Sequence, residues 1–273
     1  MRHLRLFEIH DHPWCPAVLR DLFTDSLQAI WIRLDGYRSV VPLLRRTMED
    51  AGIKHVVDLC SGAGGPWLQL AHDFEQQDYA ITVLLTDIHP NIEGLQQVCA
   101  ESKYLSFHQQ PVSALQVPAD LHGFRTIFST FHHFSPNQAH RILSDAATHG
   151  EGIAIFEGAS RDIRVMLAIC FLPFLALLTT PAIRPFRWSR VIWTYVIPVV
   201  PFMLWFDGIM SCLRAYSKDE LFQISDQTRA EDYHWQAETK REGLIRITYL
   251  IGYPRRADRT HSGPEDSEST ETR

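Results

Sequence analysis

The run Val57-Asp58-Leu59-Cys60-Ser61-Gly62-Ala63-Gly64-Gly65-Pro66-Trp67 constrains this chain more than any other stretch. A short apolar strand enters a loop of small residues, and Pro66 starts a helix behind it. Small residues let the backbone approach a ligand, and the first turn of a helix offers N–H groups with no partner inside the helix. Asp87 follows the next apolar run, residues 81–86. A carboxylate at the end of the second strand of such a unit can accept both hydrogen bonds of a ribose diol. Asp58, ending the first strand, is placed to orient the loop or to meet a ligand's amino group. These residues read together as a nucleotide-binding strand, glycine loop and helix.

The surrounding pattern agrees. Short β-branched runs at residues 56–60, 81–86, 105–109, 126–129 and 153–157 alternate with helical stretches at 67–74, 91–101 and 136–148. That alternation predicts right-handed crossovers and a parallel sheet covered on both faces. Ser135 and Pro136 are suited to cap and open the last of these helices. Residues 6–48 predict two or three helices ahead of the sheet, punctuated by Gly36 and Pro42. Beyond a helix near 218–224, residues 233–239 and 244–253 predict two strands joined at Glu242-Gly243, an antiparallel finish. Residues 255–273 carry no large apolar side chain and read as a disordered tail.

A hydrophobic content of 45% is ample for a buried core. The net charge of −6 argues against a surface built to bind nucleic acid. The five cysteines, Cys15, Cys60, Cys99, Cys170 and Cys212, contain no close pair, so neither a disulfide framework nor a zinc knuckle is indicated. The N-terminus is too charged and too rich in histidine for a secretory signal, and a cytoplasmic location is expected.

Trp67 occupies the third glycine position of a dinucleotide fingerprint counted from Gly62, and no Walker lysine follows the loop. Both absences weaken a reading as an NAD or ATP site. Residues 57–64, Thr86-Asp87-Ile88, residues 128–134 and the closing strand pair instead resemble class I S-adenosylmethionine-dependent methyltransferases, over about residues 50–160 and 230–253. The resemblance implies a Rossmann-like α/β fold, a seven-stranded, mostly parallel sheet with one antiparallel strand. Here it is extended by N-terminal helices and an apolar helical insertion. It also implies S-adenosyl-L-methionine as cofactor, held by Asp58, Cys60, Gly62, Gly64, Asp87, Ile88, Gln110 and Ser129. Cys60 replaces the family's first loop glycine. The family's aspartate after the third strand is missing from Gln109-Gln110-Pro111-Val112, which leaves the adenine contact to Gln110 or Ser113.

Residues 129–134, Ser-Thr-Phe-His-His-Phe, resemble the corresponding turn of small-molecule C- and O-methyltransferases of the quinone type, with Phe131 at the leucine position. His132 and Glu157, after the fourth and fifth strands, are the candidate catalytic bases, against the alternative that they cap strands and pack. His10, Trp14, His133, Asp207 and Tyr216 are candidate substrate contacts. No metal is expected, because no helical His-x-x-x-His or carboxylate spacing accompanies His10, His12, His132 and His133.

Two uncharged runs, 165–183 and 191–206, flank Arg184, Arg187 and Arg190 and are interrupted by Pro173, Pro181, Pro198 and Pro201. Two full membrane crossings would put the arginines outside, against the positive-inside tendency. The expectation is a hairpin dipped into the cytoplasmic leaflet, with the arginines and Trp188 at the headgroups. Full spanning, or a buried cap, is the alternative. The chain thus divides into a lid (1–50), a core (51–160 and 217–254), a membrane-associated insertion (161–216) and a tail. The expected activity is methyl transfer to a small lipophilic acceptor at a membrane surface. An NAD-dependent oxidoreductase and a non-enzymatic cofactor-binding protein are the alternatives.

Overall fold

The computed structural model describes residues 6–242 and 245–255. The expected Glu242-Gly243 turn and the tail beyond residue 255 therefore lie outside the described residues. The chain opens with α1 (Ala17–Arg33) and α2 (Val41–Ala51). It continues through β1 (His55–Leu59), α3 (Trp67–Gln76), β2 (Thr82–Thr86), α4 (Ile92–Glu101), β3 (Leu105–Phe107), β4 (Phe124–Phe128), α5 (Pro136–Thr148) and β5 (Ile153–Glu157). An insertion of α6 (Ile163–Ile169), α7 (Leu172–Thr179), α8 (Trp188–Val191) and α9 (Val199–Arg214) follows. The chain then closes with α10 (Lys218–Asp226), β6 (Tyr233–Glu242) and β7 (Ile245–Pro254).

The seven strands are ordered β3-β2-β1-β4-β5-β7-β6. β1 pairs in parallel with both β2 and β4, and β7 runs antiparallel between β5 and β6. The chain direction across the sheet reverses beside β1, which opens a crevice at the carboxyl ends of β1 and β4. Successive residues of β1 are buried on opposite faces, as a strand covered on both sides requires. Val56 packs with Leu44, Met48, Trp67, Phe74 and Leu95, whereas Val57 and Leu59 pack with Ile142, Leu143, Leu221 and Ile224. Ser135 caps α5 with a reciprocal capping box to Gln138. α2 contributes Leu44 and Met48 to the first of these cores.

A separate core joins α1 to the insertion. Leu22, Phe23 and Ile30 pack with Ala176, Val200, Met203 and Leu204. The arginines between the apolar runs are a correction to the headgroup expectation. Arg190 is buried, with Nη2 2.6 Å from Asp25 Oδ2 and Nη1 donating to the Pro185 carbonyl at 2.7 Å. Arg187 pairs with Glu93 at 2.5 Å and lies 3.7 Å from Asp25. Asp25, on the inner face of α1, is buried and needs a cation, so two of the three arginines turn inward. Arg184 and Trp188 remain exposed. The first apolar run is interrupted between α6 and α7, and the second bends by 70° between residues 188–196 and 199–214, next to Pro198.

Candidate functional site

A cavity of about 310 Å³ lies at the carboxyl ends of the central strands. Its floor is the loop after β1. Cys60, Gly62, Gly64 and Gly65 all hold positive φ, at 61°, 56°, 107° and 52°. Gly64 is required twice over, because a Cβ there would also meet Gln28 and Val98 at 3.1 Å. Cys60 occupies the left-handed region with a side chain, at a strain of about 1–3 kcal/mol.

Asp87 ties the loop to β2. Its Oδ2 accepts from the Gly62 N–H and its Oδ1 from the His89 N–H, both at 2.7 Å, while the half-buried carboxylate borders the cavity beside Ile88. Asp58 accepts from the Ser61 and Thr126 hydroxyls, each at 2.6 Å. Burial pushes its carboxyl up to about 7, against the pull of those two donors. Ser129, with φ of 46°, accepts from the Gly158 N–H at 3.2 Å and shares a 2.5 Å hydrogen bond with the Tyr37 hydroxyl. On the opposite wall Gln28 presents a buried amide nitrogen with no hydrogen-bond partner. Glycines held at positive φ, a carboxylate at the end of β2 and an orphaned amide donor form a set that suits an adenosyl ligand.

Gln110 does not join them. It is exposed, its carbonyl 3.0 Å from His108 Nδ1, and it does not line the cavity. Gly64 shapes the loop without bordering the open volume.

At the other end of the cavity stand Glu8, His10, Asp11 and His133. His132 and Glu157 sit behind them and do not line it. Both are buried, with His132 Nδ1 2.7 Å from Glu157 Oε2 and Nε2 3.5 Å from Glu8 Oε1. Burial opposes a charge on His132, but Glu157 and Glu8 outweigh it and raise its pKa to about 10. The two carboxylates favour its protonated, cationic form. Glu8 is the converse: burial raises its pKa, but His133, His132 and His10 outweigh this and bring it down to about 2.

Asp207 is buried and anchors the N-terminal segment. It accepts from the backbone of Ile9 and His10 at 2.7 and 3.1 Å and lies 2.9 Å from His10 Nδ1. Tyr216 is likewise buried, donating to the Phe134 carbonyl at 2.7 Å to hold the turn after β4. Trp14 is 61% exposed and stacks on His12, away from the cavity. Of the five candidate substrate contacts only His10 and His133 face the open volume. Sequence reasoning missed Glu8, Asp11 and Gln28. The Glu8-x-His10-Asp11 spacing ahead of α1 was the available signal for the first two.

No family model and no curated protein matches the chain. Solved structures do. Human N-acetylserotonin methyltransferase, in complex with SAM, aligns at a TM-score of 0.51 and 14% identity over 86% of this chain and 56% of that one. The chain has the class I methyltransferase fold. Magnesium protoporphyrin IX methyltransferase from Synechocystis PCC 6803, with bound SAH, gives 0.48 and 14% over 87% of this chain and 98% of that one. An O-methyltransferase family protein from Burkholderia thailandensis gives 0.46 and 14%, over 82% and 57%. The chain spans little more than half the length of the human and Burkholderia proteins. Within the methyltransferase fold β7 is the antiparallel strand, and the cavity lies where the sheet changes direction.

Proposed function

We propose that the chain is an S-adenosylmethionine-dependent methyltransferase acting on a small lipophilic acceptor at a membrane surface. The observation that carries the reading is the cavity itself. One wall is the glycine loop with Asp87, and the other is built from Phe23, Leu27, Leu172 and Leu204 of α1 and the insertion. The polar wall suits the adenosyl group, with Asp87 on the ribose and Gln28 supplying a free donor. The apolar wall suits the hydrocarbon part of an acceptor.

S-adenosylmethionine, bound there, supplies an electrophilic methyl group on sulfur. The chain's part is to exclude water and align the acceptor, which in an in-line displacement accounts for most of the rate. Glu8, His10, Asp11 and His133 form the polar end at which an acceptor's nucleophilic atom is received. The complex of human N-acetylserotonin methyltransferase with SAM, on the same fold, supports the choice of cofactor. Trp67, fully buried and edge-on to Phe128 at 5.7 Å, stands where a dinucleotide fingerprint has its third glycine. That disfavours the NAD reading.

Calorimetric titration with S-adenosylhomocysteine and with NADH tests the proposal, followed by transfer of labelled methyl from S-adenosylmethionine into a lipid extract. Binding of the sulfur ligand is expected, weakened roughly tenfold to a hundredfold in Asp87→Ala through the loss of charge-assisted hydrogen bonds. Tight NADH binding with no response to the sulfur ligand would overturn it.

A further inference from the structure

We propose that Glu8, His10, Asp11 and His133 bind one first-row divalent transition-metal ion, which fastens the N-terminal segment to the turn after β4. Each offers one ligand atom, and these atoms all lie within 4.8 Å of one another. Three come from the short segment ahead of α1. The fourth comes from the turn after β4, so the site exists only when the segment lies over the sheet.

The groups that orient these ligands are already in place. Asp207 Oδ2 lies 2.9 Å from His10 Nδ1, and the His10 ring stacks on Phe23 with centroids 4.3 Å apart. Those contacts fix the ring and turn Nε2 toward Asp11 Oδ1, 3.6 Å away. A carboxylate on the far nitrogen of a histidine is the arrangement that orients metal-binding imidazoles and raises their basicity. Glu8 is divided in the same way: Arg214 Nη1 takes Oε1 at 3.2 Å, and Oε2 faces His133 Nε2 at 3.4 Å. Arg214 also donates to the His133 carbonyl at 2.8 Å, holding that residue in place.

From behind, His132 Nε2, on a side chain only 2% exposed, faces Glu8 Oε1 at 3.5 Å and leaves Oε2 toward the cluster. Charge argues the same way. With His10 and His133 as neutral ligands, the carboxylates of Glu8, Asp11, Asp207 and Glu157 face two cations, the Arg214 guanidinium and the His132 imidazolium. Two negative charges are left, and one divalent ion cancels them. Two imidazoles with two carboxylates suit zinc, manganese, iron or cobalt better than calcium or magnesium, which favour oxygen alone. Bonds of about 2.0–2.2 Å would draw the four atoms together by side-chain rotation. All four residues also border the cavity, so an open coordination position would face it. The inference goes beyond methyl transfer and stands without it.

The test uses untagged, chelator-treated full-length protein titrated with Co²⁺, Zn²⁺ and Mn²⁺. Calorimetry gives stoichiometry, and the visible absorption of the cobalt form gives the coordination. One equivalent is expected, with a cobalt spectrum typical of mixed nitrogen and oxygen ligands. Affinity should fall more than about tenfold in the Asp11→Asn/His133→Asn double variant, by analogy with the loss of shell residues in other sites. His122→Ala, at an exposed histidine, should bind as the parent does. Absence of stoichiometric binding in the parent protein overturns the proposal without any variant. Undiminished binding in a folded double variant overturns it as well.

Discussion

Asp58 ends β1 with its carboxylate sealed beneath the loop, and its protonation is coupled to the fold. Burial raises its pKa to about 7, above the 3.8 of an ordinary aspartate. A raised carboxyl pKa means that the folded state holds the proton more tightly than the unfolded chain does. The stability it contributes is therefore complete below pH 4 and is lost as pH rises through 7. The loss amounts to a few kcal/mol at most. Asp58→Asn mimics the protonated form and can keep a hydrogen bond to each of Ser61 and Thr126. Denaturant midpoints measured from pH 5 to pH 8 should show the variant gaining on the parent as pH rises. A difference that stays constant over that range would contradict a neutral carboxyl at this position. His132 acts with the same sign but at a higher window, from 6.5 to about 10, and subtracting the variant from the parent removes it.

The joint between α1 and the insertion rests on one buried pair. Arg190 and Asp25 are 2% and 5% exposed, and Asn91 Nδ2 donates to the other Asp25 oxygen at 2.9 Å. Removing Arg190 leaves the buried carboxylate with only the longer contact to Arg187, 3.7 Å away, so Arg190→Ala should cost up to about 3–5 kcal/mol in chemical denaturation. Asp25→Leu combined with Arg190→Met removes both charges and should recover much of that loss. If Arg190→Ala alone is neutral, the pair is not buried in solution. This joint also marks what was legible in the sequence. The strands were, because β1, β4 and β5 are covered on both faces and so appear as short runs rich in β-branched and aromatic residues. The loop and Asp87 were, because their chemistry is local. The arginines were not: flanked by apolar runs, they fit headgroup anchors as well as buried cations. What decides between these is Asp25, 165 positions away. Glu8 and Asp11 were hidden for the same reason, since His133 meets Asp11 across a separation of 122 residues. His132 was named as a base on its place after β4, and only the three-dimensional neighbours reveal that both its nitrogens face carboxylates.

Across the whole molecule the exposed apolar surface is concentrated on the insertion. Ile163, Leu167, Phe171, Phe174 and Leu178 recur at spacings of three and four along α6, α7 and the junction between them, between 59% and 76% exposed, and Phe202 and Trp205 add to the surface from α9. Within the 20-residue segment Ile163–Ala182, an 18-residue window has a mean hydropathy of 2.1, and only 11% of it is buried. A soluble monomer rarely leaves a stripe of this kind uncovered. The turned-in arginines change how it would meet a bilayer, because Arg187 and Arg190 are committed to Asp25 and Glu93 and cannot reach headgroups. Attachment would then depend on apolar side chains, with little contribution from lipid charge. Co-sedimentation with neutral phosphatidylcholine vesicles should therefore be nearly as strong as with vesicles containing anionic lipid, and should resist 0.5 M salt. Leu167→Glu with Phe174→Glu should release the protein, since each lost apolar contact is worth roughly 1.5–3 kcal/mol. A parent protein that ignores vesicles and sediments as a dimer, with the double variant monomeric, would instead assign the stripe to a second copy and sink the membrane reading.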